Sequence, residues 1–255
     1  MKRKIKLIFA YEGTAYYGFQ IQKNGPSVQE SMEKALEKLL KEPVKLIASG
    51  RTDSGVHAKG QVAHFVTTAR MPADRISYAM NTMLPKDIII WSAEEVPFDF
   101  HARYYVEDKT YRYRILNQTF HDPFLRNWVW HIKTPLDVEK MKQAAAYLVG
   151  THDFTSFCSV RTKIEDRVRT LYNVSIETTP RDSIVPGQGQ DIWLTCHGNG
   201  FLYNMVRVIT GTLVEVGIGK WEVEDVKRML EGQNRNIAGI TAPPQGLYLW
   251  EVRYR

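Results

Sequence analysis

The chain has 255 residues, which is long enough for one large domain or two small ones. Its composition, 44% hydrophobic and 24% charged, is typical of a globular protein, and no stretch approaches the roughly 20 apolar residues of a membrane span. The two cysteines, Cys158 and Cys196, lack the paired spacing of metal ligands. We therefore expect no disulfide framework, no metal site and a cytoplasmic location. The 34 Lys and Arg residues exceed the 28 Asp and Glu residues, which favours a polyanionic partner without requiring one.

The first hundred residues predict four strands and two helices. Apolar residues alternate with polar ones over residues 4–11, which predicts a strand. Ser27 and Glu30 form a capping box at the start of a helix that we expect to end at Pro43. Further strands are predicted at 44–48, 61–67 and 88–93, with a polar loop at 50–60 and a second helix that begins at Pro72.

The rest of the chain predicts a similar series of elements. Strands are expected at 110–116, 171–176, 192–196 and 247–254, and helices at 138–149, 205–216 and 223–230. Residues 180–190, with Gly187 and Gly189, predict an exposed hairpin loop.

The order of elements predicts the fold class. The first half reads β-α-β-β-α-β, the split βαβ pattern of ferredoxin-like domains, and the second half repeats it approximately. We predict an α+β fold in which two ferredoxin-like halves form an extended, mainly antiparallel sheet with helices on one face. The region around residues 96–103 is the expected join, so the predicted halves are residues 1–102 and 103–255.

Two clusters of basic residues suggest nucleic acid as the polyanion. In the first, arginine and lysine alternate with tyrosine; it comprises Arg103, Tyr104, Tyr105, Lys109, Tyr111, Arg112, Tyr113 and Arg114. The second comprises Arg161, Lys163, Arg167 and Arg169. Arginine among aromatic residues suits phosphate contact combined with base stacking. The spacing alone favours the simpler interpretation, a strand with one solvated face.

The loop at residues 50–58, with the sequence GRTDSGVHA, concentrates reactive side chains between two predicted strands. Loops held by rigid strands often carry catalytic groups, and the two glycines of this segment permit close backbone approach. A structural interpretation is equally available, in which Asp53 is a turn residue and His57 a packed histidine. Ser54 and His57 also invite a hydrolase interpretation, although no G-x-S-x-G elbow surrounds the serine.

The run GRTDSGVHA resembles the signature of the TruA-type tRNA pseudouridine synthases. Further segments resemble the same family in the same order along the whole chain; they are YEGT at 11–14, YGFQ at 17–20, PSVQ at 26–29, FHAR at 100–103, KTYRY at 109–113, GTHDF at 150–154, FLYNMVR at 201–207 and PQGLYL at 244–249. Val208 and Gln245 depart from the family pattern, and Phe19 stands where tryptophan is common. These departures leave open a specialised paralogue.

The resemblance implies a role for five residues. Asp53 is implied to be the nucleophile, attacking ribose C1′ or uracil C6 or assisting glycal formation, and Arg207 the cation that keeps its carboxylate charged. Tyr111 is implied to stack on the target uracil and to abstract a proton. Arg51 would help to extrude the nucleotide, and Leu247 would line the uracil pocket. The structural alternatives are a surface charge for Arg207, an aromatic strand residue for Tyr111 and core packing for Leu247.

The same resemblance implies a function. It is the isomerisation of uridine to pseudouridine at positions 38, 39 and 40 of the anticodon stem-loop of tRNA, by a homodimer that needs no cofactor and no membrane. One rival is a catalytically silent RNA-binding module or tRNA chaperone with the same fold. The other is an Asp/His hydrolase, which would release uracil.

Overall fold

The computed structural model describes residues 1–162, 164–181 and 189–255. The chain forms two compact units, of which the first comprises Met1–Glu107 with Tyr248–Arg255 and the second Asp108–Leu247. The predicted division into residues 1–102 and 103–255 stays a prediction, while the compact units assign most of the C-terminal strand to the first unit. Lys163 of the second basic cluster, and residues 182–188 of the predicted hairpin loop, lie outside the described residues.

The elements follow the chain in this order: β1 (Arg3–Tyr11), α1 (Val28–Leu40), β2 (Ile47–Ala48), β3 (His57–Thr67), α2 (Ala73–Met83), β4 (Ile88–Val96), β5 (Val106–Asn117), β6 (Trp130–Ile132), α3 (Val138–Ala146), β7 (Gly150–Asp153), β8 (Val168–Pro180), β9 (Gln190–Gly198), α4 (Met205–Gly217), α5 (Asp225–Glu231) and β10 (Leu247–Tyr254). The predicted α+β class with mainly antiparallel strands is confirmed. Within the described residues, none of the helices has the length and apolar character needed to cross a bilayer.

The first unit is built on the strand order β4-β1-β3, in which both neighbours of β1 are antiparallel to it. The long strand β3 also pairs with β2 near its C-terminal end and with β10, in parallel, at its first residues. Ile5, Leu7 and Phe9 of β1 are fully buried, as are Met32 and Leu36 of α1, because alternate strand residues and one helix face meet in the core. The register of β10 sets Tyr248 opposite His57, at the end of the loop that carries Asp53.

Several boundaries in this unit differ from prediction, β2 being only Ile47–Ala48 and β4 extending to Val96, and two of the differences have a clear physical reason. Strand β3 begins at His57 instead of residue 61, because its early residues pair with β1 and β10. Gly60 was expected in a loop but lies within β3. A Cβ added there would come within 2.6 Å of the Trp250 carbonyl oxygen, so glycine is needed to let β3 approach β10 closely. Helix α1 ends at Leu40, before Pro43, since Lys41 caps it in the left-handed region at φ 58°.

The Ser27 half of the predicted capping box at the start of α1 is confirmed. Ser27 is the N-cap, and its side chain accepts a hydrogen bond from the Glu30 backbone N–H at 3.2 Å. Fully buried Ser27 therefore satisfies one of the donors that a helix start leaves without a partner.

The second unit is built on the strand order β5-β9-β8-β7, all antiparallel, with the short β6 parallel to β5. Strands β6 and β7 were not predicted, because three or four residues carry too little alternation to be recognised. Helix α3 ends at Ala146, three residues earlier than expected. Helix α4 is buried around nearly its whole circumference, and Arg207 is its one half-buried position.

Candidate active site

The loop that carries Asp53 lies between β2 and β3 in the first unit. Thr52 is buried, Asp53 is half-buried and Arg51 is exposed. A carboxylate at a half-buried position can contact a substrate while its flanking backbone is held in the protein. Exposed Arg51 has the freedom that a long cationic side chain needs to reach a polyanion.

The N-terminal segment between β1 and α1 holds this loop by backbone contacts. The Phe19 N–H donates to the Thr52 carbonyl at 3.1 Å, and the Gly55 N–H donates to the Tyr16 carbonyl at 3.4 Å. The Ser54 hydroxyl donates to the same Tyr16 carbonyl at 3.2 Å. Bonds therefore tie the residues on both sides of Asp53 to a segment more than thirty residues earlier in the chain.

Two glycines allow this close approach. A Cβ added at Gly13 would lie 2.1 Å from the Val56 carbonyl oxygen, a distance that no side chain tolerates. A Cβ added at Gly18 would lie 2.8 Å from the Thr52 carbonyl oxygen, and Gly18 has a φ of +93°. Glycine is required at the second position both by space and by backbone conformation. The family-like segments YEGT and YGFQ thus serve to hold the Asp53 loop.

A buried hydrogen bond fixes the residue before Asp53. The Tyr11 hydroxyl and Thr52 Oγ1 are 2.7 Å apart, and both side chains are buried. Burial raises the pKa of Tyr11 to about 12, against the hydrogen bonds of Thr52 and Gln61, and the negative charge of Asp53 adds to the rise. The Tyr11 phenol therefore stays protonated and available as a donor.

His57 has the surroundings of a packed histidine. Its Nδ1 accepts a hydrogen bond from the Gly13 N–H at 2.9 Å, and its ring stacks on Tyr248 with centroids 4.8 Å apart. Only 2% of its surface is exposed, and the Glu12 carboxylate lies 3.6 Å from Nδ1. An Nδ1 that accepts from a backbone N–H carries no proton of its own, so these contacts support the structural interpretation of His57.

The second unit brings Tyr111 against the FLYNMVR segment. Tyr111 lies on β5 opposite Cys196 of β9, and it is half-buried. Its ring meets the ring of Phe201 edge to face, with centroids 4.9 Å apart and an interplanar angle of 75°. This contact fixes the ring of Tyr111 beside the segment that leads into α4.

Arg207 is held at the start of α4 by two hydrogen bonds. Its Nε donates to the Ala242 carbonyl at 2.7 Å, and one of its terminal nitrogens donates to Asn204 Oδ1 at 2.9 Å. The Ala242 N–H in turn donates to the Arg207 carbonyl at 3.0 Å. These bonds give the guanidinium a defined orientation, whereas its proposed role at the substrate stays a prediction. Leu247, the first residue of β10, is only 6% exposed, so its predicted role in the uracil pocket stays a prediction.

Arginines of the first basic cluster are engaged within the sheet. Arg114 forms a two-pronged ion pair with Asp191, at 2.9 and 3.0 Å, and Arg112 lies 3.4 Å from Glu177. Both guanidinium groups also lie over the ring of Trp193, at 4.6 and 5.4 Å from its centroid. The contacts of Arg112 and Arg114 favour the structural interpretation of this part of the cluster.

Sequence reasoning identified the loop but missed what holds it. The roles of Tyr11, Gly13, Gly18 and Thr52 depend on contacts between segments far apart in the chain. The one available signal was the pair of glycines, Gly13 and Gly18, in the family-like segments before α1, which can indicate a close approach of two backbone segments. Asp53 and Arg51 belong to the first compact unit, and Tyr111, Arg207 and Leu247 belong to the second.

Comparisons with known proteins identify the family. A family model described as tRNA pseudouridine synthase matches residues 7–105 and 144–255 of the chain. A relative from Exiguobacterium sp., named tRNA pseudouridine synthase A, is 50% identical over 252 residues, covering 99% of this chain and 98% of its own. Relatives of the same name from Brevibacillus brevis and Acetivibrio thermocellus are 47% and 48% identical, each over 99% of this chain and 100% of their own. The chain therefore belongs to the tRNA pseudouridine synthase family. The predicted family and the predicted enzyme class, an isomerase, are confirmed.

Proposed function

We propose that this protein isomerises uridine to pseudouridine at positions 38, 39 and 40 of the anticodon stem-loop of tRNA, with Asp53 as the nucleophile. The observation that carries the proposal is the rigid support of the Asp53 loop, bonded to residues 16 and 19 and packed against glycines at 13 and 18. A loop fixed on both sides of one carboxylate suits a group that must meet a substrate atom in a defined position.

The reaction breaks the N1–C1′ bond, turns the uracil and joins C5 to C1′, after which the proton on C5 is lost and N1 gains one. A carboxylate nucleophile divides this rearrangement into easier steps. In our proposal Arg207 keeps the Asp53 carboxylate charged, and Tyr111 stacks on the uracil and accepts the C5 proton. Atoms and electrons balance within the nucleotide, so the chemistry calls for no oxidant, reductant or cofactor.

Arg51 and Leu247 complete the proposed site. Stacked bases conceal C1′ and C5, so the target nucleotide must leave its stack, at a cost of a few kcal/mol. Exposed Arg51 can contact the displaced backbone, and buried Leu247 can provide an apolar wall for the uracil. We further propose that the enzyme works as a homodimer, as its family resemblance implies.

The test uses purified protein and unmodified tRNA transcripts dialysed against a metal chelator. Pseudouridine is located by chemical adduct formation and primer extension, with transcripts in which positions 38, 39 and 40 are replaced one at a time. We expect modification at these positions without added metal or nucleotide. Release of free uracil would indicate a hydrolase, and binding without modification would indicate the RNA-binding module.

Asp53→Asn tests the nucleophile, because it removes the charge while keeping the shape of the side chain. We expect no detectable turnover and an unchanged Kd for tRNA. Asp74→Asn is the matched control, since Asp74 is an exposed residue in the first turn of α2. Normal turnover by Asp53→Asn would overturn the proposed mechanism.

A further inference from the structure

A cavity of roughly 500 Å³ lies in the second unit, beside the start of α4. Its wall is formed by four segments: the turn at Ser159, the N-cap of α4 at Asn204, the end of α4 and the residues just after it at Glu215 and Lys220, and the stretch that includes Arg235 and Asn236. Polar side chains from each segment line the cavity, among them Ser159, Asn204, Lys220 and Arg235, and hydroxyl, amide and cationic groups can all donate hydrogen bonds. A cavity of this kind suits a small polar group better than an apolar ligand.

The charge of the cavity is positive. Among the described residues of its wall the carboxylate is Glu215, which is 5% exposed and is engaged by Lys220 at 2.6 Å and by the indole N–H of Trp221 at 3.1 Å. Arg235 donates instead to uncharged acceptors, the Ala238 carbonyl at 3.3 Å and the Thr241 hydroxyl at 3.1 Å. Burial lowers the pKa of Arg235 from its ordinary value, while Cys158 and the negative charge of Glu215 oppose the fall, so Arg235 is a cation that has lost part of its water.

Two more arginines act on the same corner of the unit. Burial raises the pKa of the Cys158 thiol, while the positive charges of Arg167, Arg235 and Arg169 oppose the rise. Cys158 directly precedes Ser159 in the cavity wall. The charges that act on Cys158 are therefore those of three arginines and one carboxylate, Asp153, which is a net positive set.

The cavity is joined to Arg207 by two independent connections. Asn204 lines the cavity while its Oδ1 accepts a hydrogen bond from Arg207. Thr241 lines the cavity too, and the next residue, Ala242, exchanges hydrogen bonds with Arg207 in both directions. Asn204 and the Thr241–Ala242 pair therefore connect the cavity wall directly to the arginine proposed to act at the target uridine.

We propose that this cavity binds a backbone phosphate of the tRNA next to the target uridine. The inference rests on the proposed function and names the part of the substrate that Arg235 and its neighbours recognise. An enzyme that extrudes a nucleotide has to hold the strand beside it, and phosphate contacts fix the register of a nucleic acid. The guanidinium fork of Arg235 and the amides of Asn204 and Asn236 supply donors suited to phosphate oxygens.

Asn236→Asp tests the proposal with little risk to the fold. Asn236 is exposed, and its backbone N–H, which the substitution keeps, donates to Asn234 Oδ1 at 2.9 Å. A carboxylate in the cavity wall should repel a phosphate and raise both KM and Kd for tRNA about tenfold, with kcat unchanged. Gln233→Glu is the matched control: it adds the same charge at an exposed position three residues away, outside the cavity wall, and should change both constants less than twofold.

The substrate side of the contact is tested with synthetic anticodon stem-loops. In each, one phosphate near the target uridine is replaced by an uncharged methylphosphonate. At one position the tenfold Kd penalty of Asn236→Asp should disappear, because the charge that the carboxylate repels is gone. For Arg235→Gln, the slope of log Kd for tRNA against log salt concentration should be smaller than that of the wild type by about one unit.

These measurements separate failure of this inference from failure of the proposed function. Equal Kd values for Asn236→Asp and Gln233→Glu, or a penalty that survives every methylphosphonate, would overturn the phosphate site while pseudouridine formation by the wild type continued. The alternative is that the cavity binds free phosphate instead of a tRNA phosphate, and it is tested by adding inorganic phosphate to the binding assays. A cavity that serves free phosphate alone would bind inorganic phosphate in the wild type and lose that binding in Asn236→Asp, while the Kd values of Asn236→Asp and Gln233→Glu for tRNA stayed equal.

Discussion

Replacing Gly18 with alanine tests how firmly the segment between β1 and α1 holds the loop that carries Asp53. The added Cβ would lie 2.8 Å from the Thr52 carbonyl oxygen and 3.3 Å from the Asp53 carbonyl carbon. Both are backbone atoms, so the strain cannot be relieved by turning a side chain. The loop or the segment has to move by several tenths of an ångström.

The expected cost has two parts. Holding alanine at φ +93° costs about 1–2 kcal/mol, and the steric overlap adds about 1–3 kcal/mol. The reduced entropy of the unfolded chain returns about 0.4–1 kcal/mol. We therefore expect Gly18→Ala to lower the free energy of unfolding by about 3 kcal/mol. A displaced Asp53 should also lower kcat, by up to about 100-fold, which is the effect expected when a reacting group is misplaced by a full ångström.

Gly219 provides the control for backbone conformation alone. Its φ is +78°, and an added Cβ would meet nothing within 4 Å. Gly219→Ala should cost about 1 kcal/mol and leave kcat unchanged. Urea unfolding and single-turnover pseudouridine formation measure both variants. Equal stability losses, together with wild-type kcat for Gly18→Ala, would refute the argument that Gly18 positions the loop.

Two further predictions concern buried polar groups of the first unit. Tyr11→Phe removes the hydroxyl that lies 2.7 Å from Thr52 Oγ1, and we expect the free energy of unfolding to fall by about 1 kcal/mol; an unchanged urea midpoint would contradict this. Burial, and then the charges of Lys4 and His101, lower the pKa of His64 from 6.5 to about 4 in the folded protein. Its stabilising contribution is therefore complete above pH 6.5 and is lost as the pH falls toward 4. Between pH 7 and pH 5 we expect a loss of about 2 kcal/mol that His64→Gln abolishes; the same pH slope in that variant would assign it to another group.

Elements that depend on local pattern were predictable from the sequence. The alternation of β1 and the Ser27 N-cap of α1 involve residues within a few positions of each other, and the structure contains both. Gly60 shows where local pattern fails. Its sequence context is that of a loop, yet it lies in β3 because β10, nearly two hundred residues later, pairs with the start of that strand.

The candidate site also has a part that the sequence predicts and a part that only the folded structure shows. The residue types of the GRTDSGVHA run drew attention to Asp53, whereas the contacts of Gly13 and Gly18 with that run were not readable from either segment alone. The cavity beside α4 was missed completely. Arg235 lies in no sequence motif that we recognised. The cavity wall to which it belongs is assembled from segments between Ser159 and Thr241 that only folding brings together.

The sequence by itself determined the family, the order of the helices and of the longer strands, and which loop carries the proposed nucleophile, because each of these is written in short runs of residues. Tertiary structure alone decided which glycines press against that loop, how Arg207 is oriented and where a positively charged cavity forms. The physical reason is that side-chain periodicity and capping act over a few residues, whereas close packing and the field of several charges depend on segments that only folding brings together.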